Sequence, residues 1–166
     1  PKKNISENEF LKFKSQWLIK NSDLDLIEEY LIKNQIVNKH PTLTKFFVNQ
    51  YLSQSNLDKA CQIFSKNLEP LSDEYLIKFN IYCLINEKKE DEAQLIFDLK
   101  KELGFKDKYF ERKISFLLGY TSEIDKKISE KTILDFHLAY RVNPDFNYEP
   151  KDKTKKIIWK YLSSAN

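Results

Sequence analysis

Few residues in this chain of 166 could carry acid–base or metal chemistry. His40 and His137 are its two histidines; one precedes Pro41 at a predicted helix start, and the other lies in an apolar helical segment. No HExxH motif, Cys/His cluster or Walker loop occurs. Acidic neighbours such as Glu28 and Glu29 are typical of solvated helix faces. We therefore expect no enzyme active site in this segment, and no cofactor is implied.

Cys61 and Cys83 are the two cysteines, and both stand inside apolar helical patterns. They lack CxxC spacing and have no neighbouring cluster of metal ligands. We interpret them as two small buried hydrophobic side chains. They do not fix the compartment in which the protein works.

A spacing of 33 residues runs through the first two thirds of the chain and marks a repeated helical unit. It relates charged residues, namely Lys12, Lys45 and Lys78. It also relates apolar sets: Phe13, Phe46 and Phe79; Phe10, Leu43 and Leu76; Leu18, Tyr51 and Leu84; Ile27, Ala60 and Ala93; and Leu31, Phe64 and Phe97.

The elements that carry these residues are predicted to be helices, because apolar residues recur at helical spacing and the chain has only two glycines and five prolines. Predicted helices span residues 7–20, 24–34, 41–53, 57 to before 70, 74–86, 89–103 and 106–118. Ser22 with Asp25 is an N-cap signal for the second of them. After Gly119 the repeat degrades, since Lys126 and Glu130 stand where a small and an aromatic residue are due. Separate helices are predicted over 130–140 and 153–163.

The second unit, counted from Pro41, carries Phe47 and Tyr51 on its first helix and Ala60 and Phe64 on its second. Leu84, Ala93 and Phe97 repeat the pattern in the third unit, and Leu18, Ile27 and Leu31 in the first. In this pattern the chain resembles the tetratricopeptide repeat family, over roughly residues 8–118. It departs from the family in its period, one residue short of 34, and at Val48, Ile81, Asn67 and Lys100.

This resemblance implies an all-α, right-handed α-solenoid of antiparallel helix hairpins. Residues 1–119 would form the array, with units of about 8–40, 41–73 and 74–106 and the first helix of a fourth unit from 107. Residues 120–166 would form divergent helices packed on the array as a cap; the alternative is an array that continues past residue 166. The chain begins at Pro1 and contains no Met, so we expect it to be a piece of a larger protein.

The resemblance also implies a function, because family members commonly bind peptides on the concave face formed by the first helix of each hairpin. Projecting that face onto this chain gives the candidate binding residues Lys12, Lys45, Asn49, Lys78, Tyr82, Lys108 and Arg112. Their charge favours an acidic peptide, whose carboxylate an arginine can hold through two parallel hydrogen bonds. We expect a non-catalytic protein–protein interaction or scaffolding module.

Two other classes of function remain open. The chain could be the helical superhelix of a larger enzyme, such as a cell-wall lytic enzyme. It could also bind nucleic acid through the basic run Lys151, Lys153, Lys155 and Lys156 that precedes Trp159. The net charge of +3 is too small to imply nucleic acid on electrostatic grounds alone. No apolar run in this segment is long enough to predict a transmembrane helix.

Overall fold

The structure, a computed structural model, describes residues 5–21 and 23–165. Within those residues the chain is all-α, with nine helices and no strand. The helices are α1 (Glu7–Asn21), α2 (Leu24–Lys33), α3 (Pro41–Ser53), α4 (Leu57–Lys66), α5 (Glu74–Asn86), α6 (Glu90–Glu102), α7 (Lys108–Leu117), α8 (Ile133–Val142) and α9 (Lys156–Ser164). No helix in the described part is long and apolar enough to cross a membrane.

Short polar side chains fix where most of these helices begin. A side-chain oxygen accepts a hydrogen bond from the backbone N–H three residues on, which satisfies a donor that the first helical turn leaves open. Such caps are Asp23, Asn56, Asp73, Asp107 and Thr132. Ser22, which the sequence favours as a cap of α2, lies outside the described residues, and Asp23 caps that helix.

α1, α3, α5 and α7 form a row in which each helix packs on the next, and we call this row the A layer. α2 and α4 each pack on the A-layer helix that follows them in the chain. α4 and α6 also pack on the A-layer helices that precede them, which are α3 and α5. Ala60 on α4 and Ala93 on α6 are both fully buried, as expected for small residues where helices approach closely.

The chain after α7 turns back instead of prolonging this row. Residues 118–132 contain no helix, and α8 then packs on α7 and α3 while α9 packs on α3 and α8. Two hydrogen bonds join α9 to α3: Ser164 Oγ donates to the Ser53 carbonyl at 2.9 Å, and Lys160 Nζ donates to Gln50 Oε1 at 2.9 Å. The C-terminal helices therefore cover part of the A layer over its second unit.

A disulfide joins Cys61 on α4 to Cys83 on α5, with the two Cα atoms 5.5 Å apart. Both sulfurs are buried, so the interpretation of these residues as buried is right, but the interpretation as two separate hydrophobic side chains is wrong. The reason is geometric. Both residues lie on the facing sides of adjacent helices, a relationship that spacing along the chain does not reveal.

Candidate functional site

Two of the three regularly spaced lysines, Lys45 and Lys78, make ion pairs with the caps of the following A-layer helices. Lys45 Nζ lies 2.8 Å from the carboxylate of Asp73, and Lys78 Nζ lies 2.9 Å from that of Asp107. Burial would raise the pKa of Asp107, but the Phe110 N–H and the Lys78 ammonium hold it below its ordinary value. These two lysines therefore link α3 to α5 and α5 to α7.

Lys12 has a different neighbour, because His40 occupies the place at the start of α3 that the aspartates occupy at α5 and α7. Lys12 and His40 line a cleft of about 380 Å³ together with Gln16 and Lys39. The His40 side chain makes no capping hydrogen bond, although capping is the role that its sequence position favours. Burial lowers the pKa of this imidazole.

Tyr82 lies in the core, where its hydroxyl is 2.9 Å from Nε2 of His137 on α8. Nδ1 of the same ring is 2.8 Å from the hydroxyl of Tyr161 on α9. This Tyr–His–Tyr chain joins α5, α8 and α9. Tyr82, a predicted binding residue, is thus engaged inside the protein and is not on an open surface.

Lys45 and Asn49 come together in a cleft of about 370 Å³ between the A layer and the C-terminal segment. We call it the α3 cleft. Its lining comprises Lys45, Asn49, Tyr75, Glu130, Lys131, Thr132, Ile133, Lys155, Ile157 and Ile158. Its walls are therefore partly apolar, and three of its side chains are lysines.

The polar groups of the α3 cleft are held in place by short contacts. The Tyr75 hydroxyl donates to Asn49 Oδ1 at 2.6 Å, and Lys155 Nζ donates to the Lys131 carbonyl at 2.9 Å. Glu130, the one acidic residue of the lining, accepts a hydrogen bond from the Tyr148 hydroxyl. Burial raises the pKa of Tyr75, so this phenol stays protonated and acts as a donor.

Lys108 and Arg112 line a second cleft, of about 760 Å³, on the outer side of α7. Its lining also holds the acidic residues Glu111, Glu123 and Asp125, so its charge is mixed. Lys108 and Arg112 thus line one cleft, and Lys45 and Asn49 line another.

Lys113 is a buried lysine that was not among the predicted functional residues. Its ammonium donates to the carbonyls of Asp125 and Lys127 at 2.7 and 2.8 Å, and it lies 3.6 Å from an Asp125 carboxylate oxygen. Burial lowers the pKa of this lysine. Lys113 therefore anchors the extended segment after α7 that leads back towards the α3 cleft.

Of the ten residues that line the α3 cleft, only Lys45 and Asn49 were predicted as binding residues, and the two other lysines of the lining, Lys131 and Lys155, were not. A signal for one of them existed, since Lys155 belongs to the basic run before Trp159. The sequence predicted a helix that starts in this run and packs on the array, but it did not indicate that the helix packs on α3.

Within the described residues, no three His, Cys, Asp or Glu side chains are grouped as metal ligands would be. Comparison with protein-family models, with curated proteins and with solved structures gave no match. The described residues therefore define an all-α protein in which helix pairs pack sequentially.

Proposed function

We propose that this chain is a non-catalytic protein–protein interaction module, and that it binds an acidic peptide in the α3 cleft. We propose further that α1 to α7 form a right-handed solenoid of the tetratricopeptide type, within residues 1–119, and that residues 120–166 are helices packed on it. In that arrangement the α3 cleft is the part of the concave face that α8 and α9 leave open.

The observation that carries this proposal is the composition of the cleft. Lys45, Lys131 and Lys155 line the same cleft as the apolar side chains of Ile133 and Ile157. An acidic side chain or a carboxylate terminus can pair with the ammonium groups while an apolar neighbour contacts the isoleucines. The combination supports an acidic peptide with an apolar anchor as the ligand.

The α3 cleft is lined by three lysines and one carboxylate, Glu130, so its formal charge is positive. Lys45 is already paired with Asp73, and Lys155 donates to a backbone carbonyl. Lys131 is exposed and has no ion-pair partner among the described residues. We therefore assign Lys131 the leading role in holding a ligand carboxylate, with Lys155 beside it.

A fluorescein-labelled heptapeptide of alternating glutamate and leucine, with a free carboxyl terminus, tests the proposal by fluorescence anisotropy. We expect saturable binding that Lys131→Glu and Lys155→Glu each weaken about tenfold, since each replaces an attractive contact with a repulsive one. The matched control is Lys88→Glu, the same charge change in the exposed turn between α5 and α6. Unchanged affinity in the two cleft variants, or an equal loss with Lys88→Glu, would reject the cleft as the site.

A nucleic-acid ligand is the alternative that the same experiment separates. An oligonucleotide that displaces the peptide, with affinity falling steeply with salt, would contradict the proposal.

A further inference from the structure

The start of α3 differs from the starts of the two A-layer helices that follow it. At α5 and α7 the cap is Asp73 or Asp107, whose carboxylate accepts a backbone N–H and pairs with a lysine of the preceding A-layer helix. At α3 the cap position holds His40, which makes no capping hydrogen bond. The corresponding lysine, Lys12, has no ion-pair partner among the described residues. This helix start therefore has the lysine but no carboxylate of the chain.

The backbone at the start of α3 also has N–H groups that are open to an acceptor. Pro41, the first residue of the helix, has no N–H, and within the described residues neither Thr42 nor Leu43 donates a backbone hydrogen bond. Leu76 and Phe110, the equivalents of Leu43 at α5 and α7, both donate to the cap carboxylate at 3.0 Å. Open N–H groups at a helix start carry partial positive charge and are a common binding place for phosphate.

A buried hydroxyl without a partner lies beside this helix start. Ser15 on α1 is 2% exposed and lines the cleft that contains Lys12 and His40, which we call the α1–α3 cleft. Its Oγ has no hydrogen-bond partner among the described residues, and neither has the buried Nδ1 of His40. Val48 and Ile81 stand at the equivalent positions of the next two units, so the hydroxyl is particular to the first unit. Buried polar groups in native proteins are nearly always paired, which indicates that a ligand is the partner of Ser15.

The lining of the α1–α3 cleft is positively charged. It includes Lys12 and Lys39, and no aspartate or glutamate of the described residues contributes to it. A single lysine pairs with each cap carboxylate at α5 and α7, whereas two lysines line the cleft at α3. A ligand with two negative charges therefore complements this lining better than one carboxylate does.

We propose that the α1–α3 cleft binds the phosphate group of a small molecule, in the place that the cap carboxylate takes at α5 and α7. The Thr42 and Leu43 N–H groups and the Ser15 hydroxyl donate to the phosphate oxygens, and Lys12 and Lys39 neutralise their charge. The cleft volume of about 380 Å³ is sufficient for a small ligand. The cleft shares no lining residue with the α3 cleft, so this proposal is independent of the peptide site.

The probe is inorganic phosphate, added to the full chain at constant ionic strength. The reporter is the Cε1–H proton of the His40 imidazole in the NMR spectrum, which is assigned as the signal that His40→Asp removes. We expect a saturable shift of this signal, because the bound anion lies beside the ring. Acetate should bind more weakly, since it has one negative charge and two oxygens where phosphate has more of both.

Lys12→Met should weaken phosphate binding about tenfold or more, the loss expected when one charge-assisted contact is removed. The matched control is Lys20→Met, the same change at an exposed lysine of α1 that does not line the cleft. Lys12 is itself exposed, so its replacement should leave the fold intact, which circular dichroism verifies.

His40→Asp is a second test, because it supplies from within the chain the carboxylate that α5 and α7 have. We expect this variant to have a higher urea midpoint than the wild type, since the aspartate caps α3 and pairs with Lys12. Phosphate should raise the midpoint of the wild type more than that of His40→Asp, because a ligand stabilises only a chain that binds it. The variant also measures the general effect of the salt on stability.

Four results would overturn the proposal. The first is the absence of a saturable His40 shift with phosphate. The second is an equal loss of affinity in Lys12→Met and Lys20→Met, which would show that the cleft is not where phosphate binds. The third is an equal gain of stability from phosphate in the wild type and in His40→Asp. The fourth is acetate binding as tight as phosphate binding, which would assign the cleft to carboxylates.

Discussion

Lys78 on α5 reaches the carboxylate of Asp107, the residue that caps α7, with an Nζ–Oδ2 distance of 2.9 Å. Lys45 makes the equivalent contact with Asp73, the cap of α5. One carboxylate in each pair therefore serves two purposes: it begins a helix, and it ties that helix to the one before it in the A layer.

Replacing these lysines should affect stability unequally. Lys78→Met should lower the free energy of unfolding by about 1–2 kcal/mol, because the Lys78 side chain is 12% exposed and its loss leaves Asp107 partly buried without its cation. Lys45→Met should cost less than about 1 kcal/mol, because that side chain is 38% exposed. Urea denaturation of both variants measures the difference; equal losses would show that burial does not control these pairs.

Reduction of the Cys61–Cys83 disulfide should destabilise the protein. The bond closes a loop with a sequence separation of 22, and cross-links of that size contribute about 3 kcal/mol by restricting the unfolded chain. We expect a correspondingly lower urea midpoint in dithiothreitol. The double variant Cys61→Ala/Cys83→Ala is the control, since its midpoint should not respond to the reductant. Two free thiols titrated in the unfolded, unreduced protein would contradict the bond.

Stability should fall as the pH falls from about 6.5 to about 4, because of His137. Burial between Tyr82 and Tyr161, with a smaller contribution from the positive charge of Arg141, lowers the pKa of His137 to about 4. An unfolded histidine titrates near 6.5, so in this window the unfolded chain binds more protons than the folded one. His137 therefore contributes stability that is complete above about pH 6.5 and is lost towards pH 4.

The loss attributable to His137 should approach about 3 kcal/mol at most. Urea denaturation of the wild type and of His137→Gln across this range isolates it, because carboxylates titrate alike in both proteins. The wild type should lose more stability than the variant on acidification. Parallel pH profiles would show that the imidazole remains accessible to protons in the folded state.

The helices were predictable because their signals are local. Apolar spacing predicted the nine helices of the described residues to within a few residues, and the cap Asp73 stands where short polar residues precede an apolar run. The last two helices begin three residues later than predicted, at Ile133 and Lys156. The absence of a helix at Lys126 could also be predicted from the sequence, because a lysine stands where close helix packing needs a small residue.

The candidate site was less predictable because it depends on contacts between distant parts of the chain. Asn49 and Lys131 meet in one cleft only because the chain returns to α3 after α7. The pairing of Lys78 with Asp107 has a signal in the sequence, because Lys45 and Asp73 have nearly the same spacing one unit earlier and form the same ion pair. The projection onto the concave face treated these lysines as available to a ligand and did not consider their partners in the next unit.

The return of the C-terminal helices has a consequence for how the molecule comes apart. A simple helical array, in which each unit touches only its neighbours, can fray from either end one unit at a time. Here Ser164 is bonded to Ser53, and His137 to Tyr82, so the tail of the chain is fastened to its middle. Unfolding of α3 would remove the support of α9, and release of α9 would expose α3 to solvent, so we expect these two helices to lose their structure together.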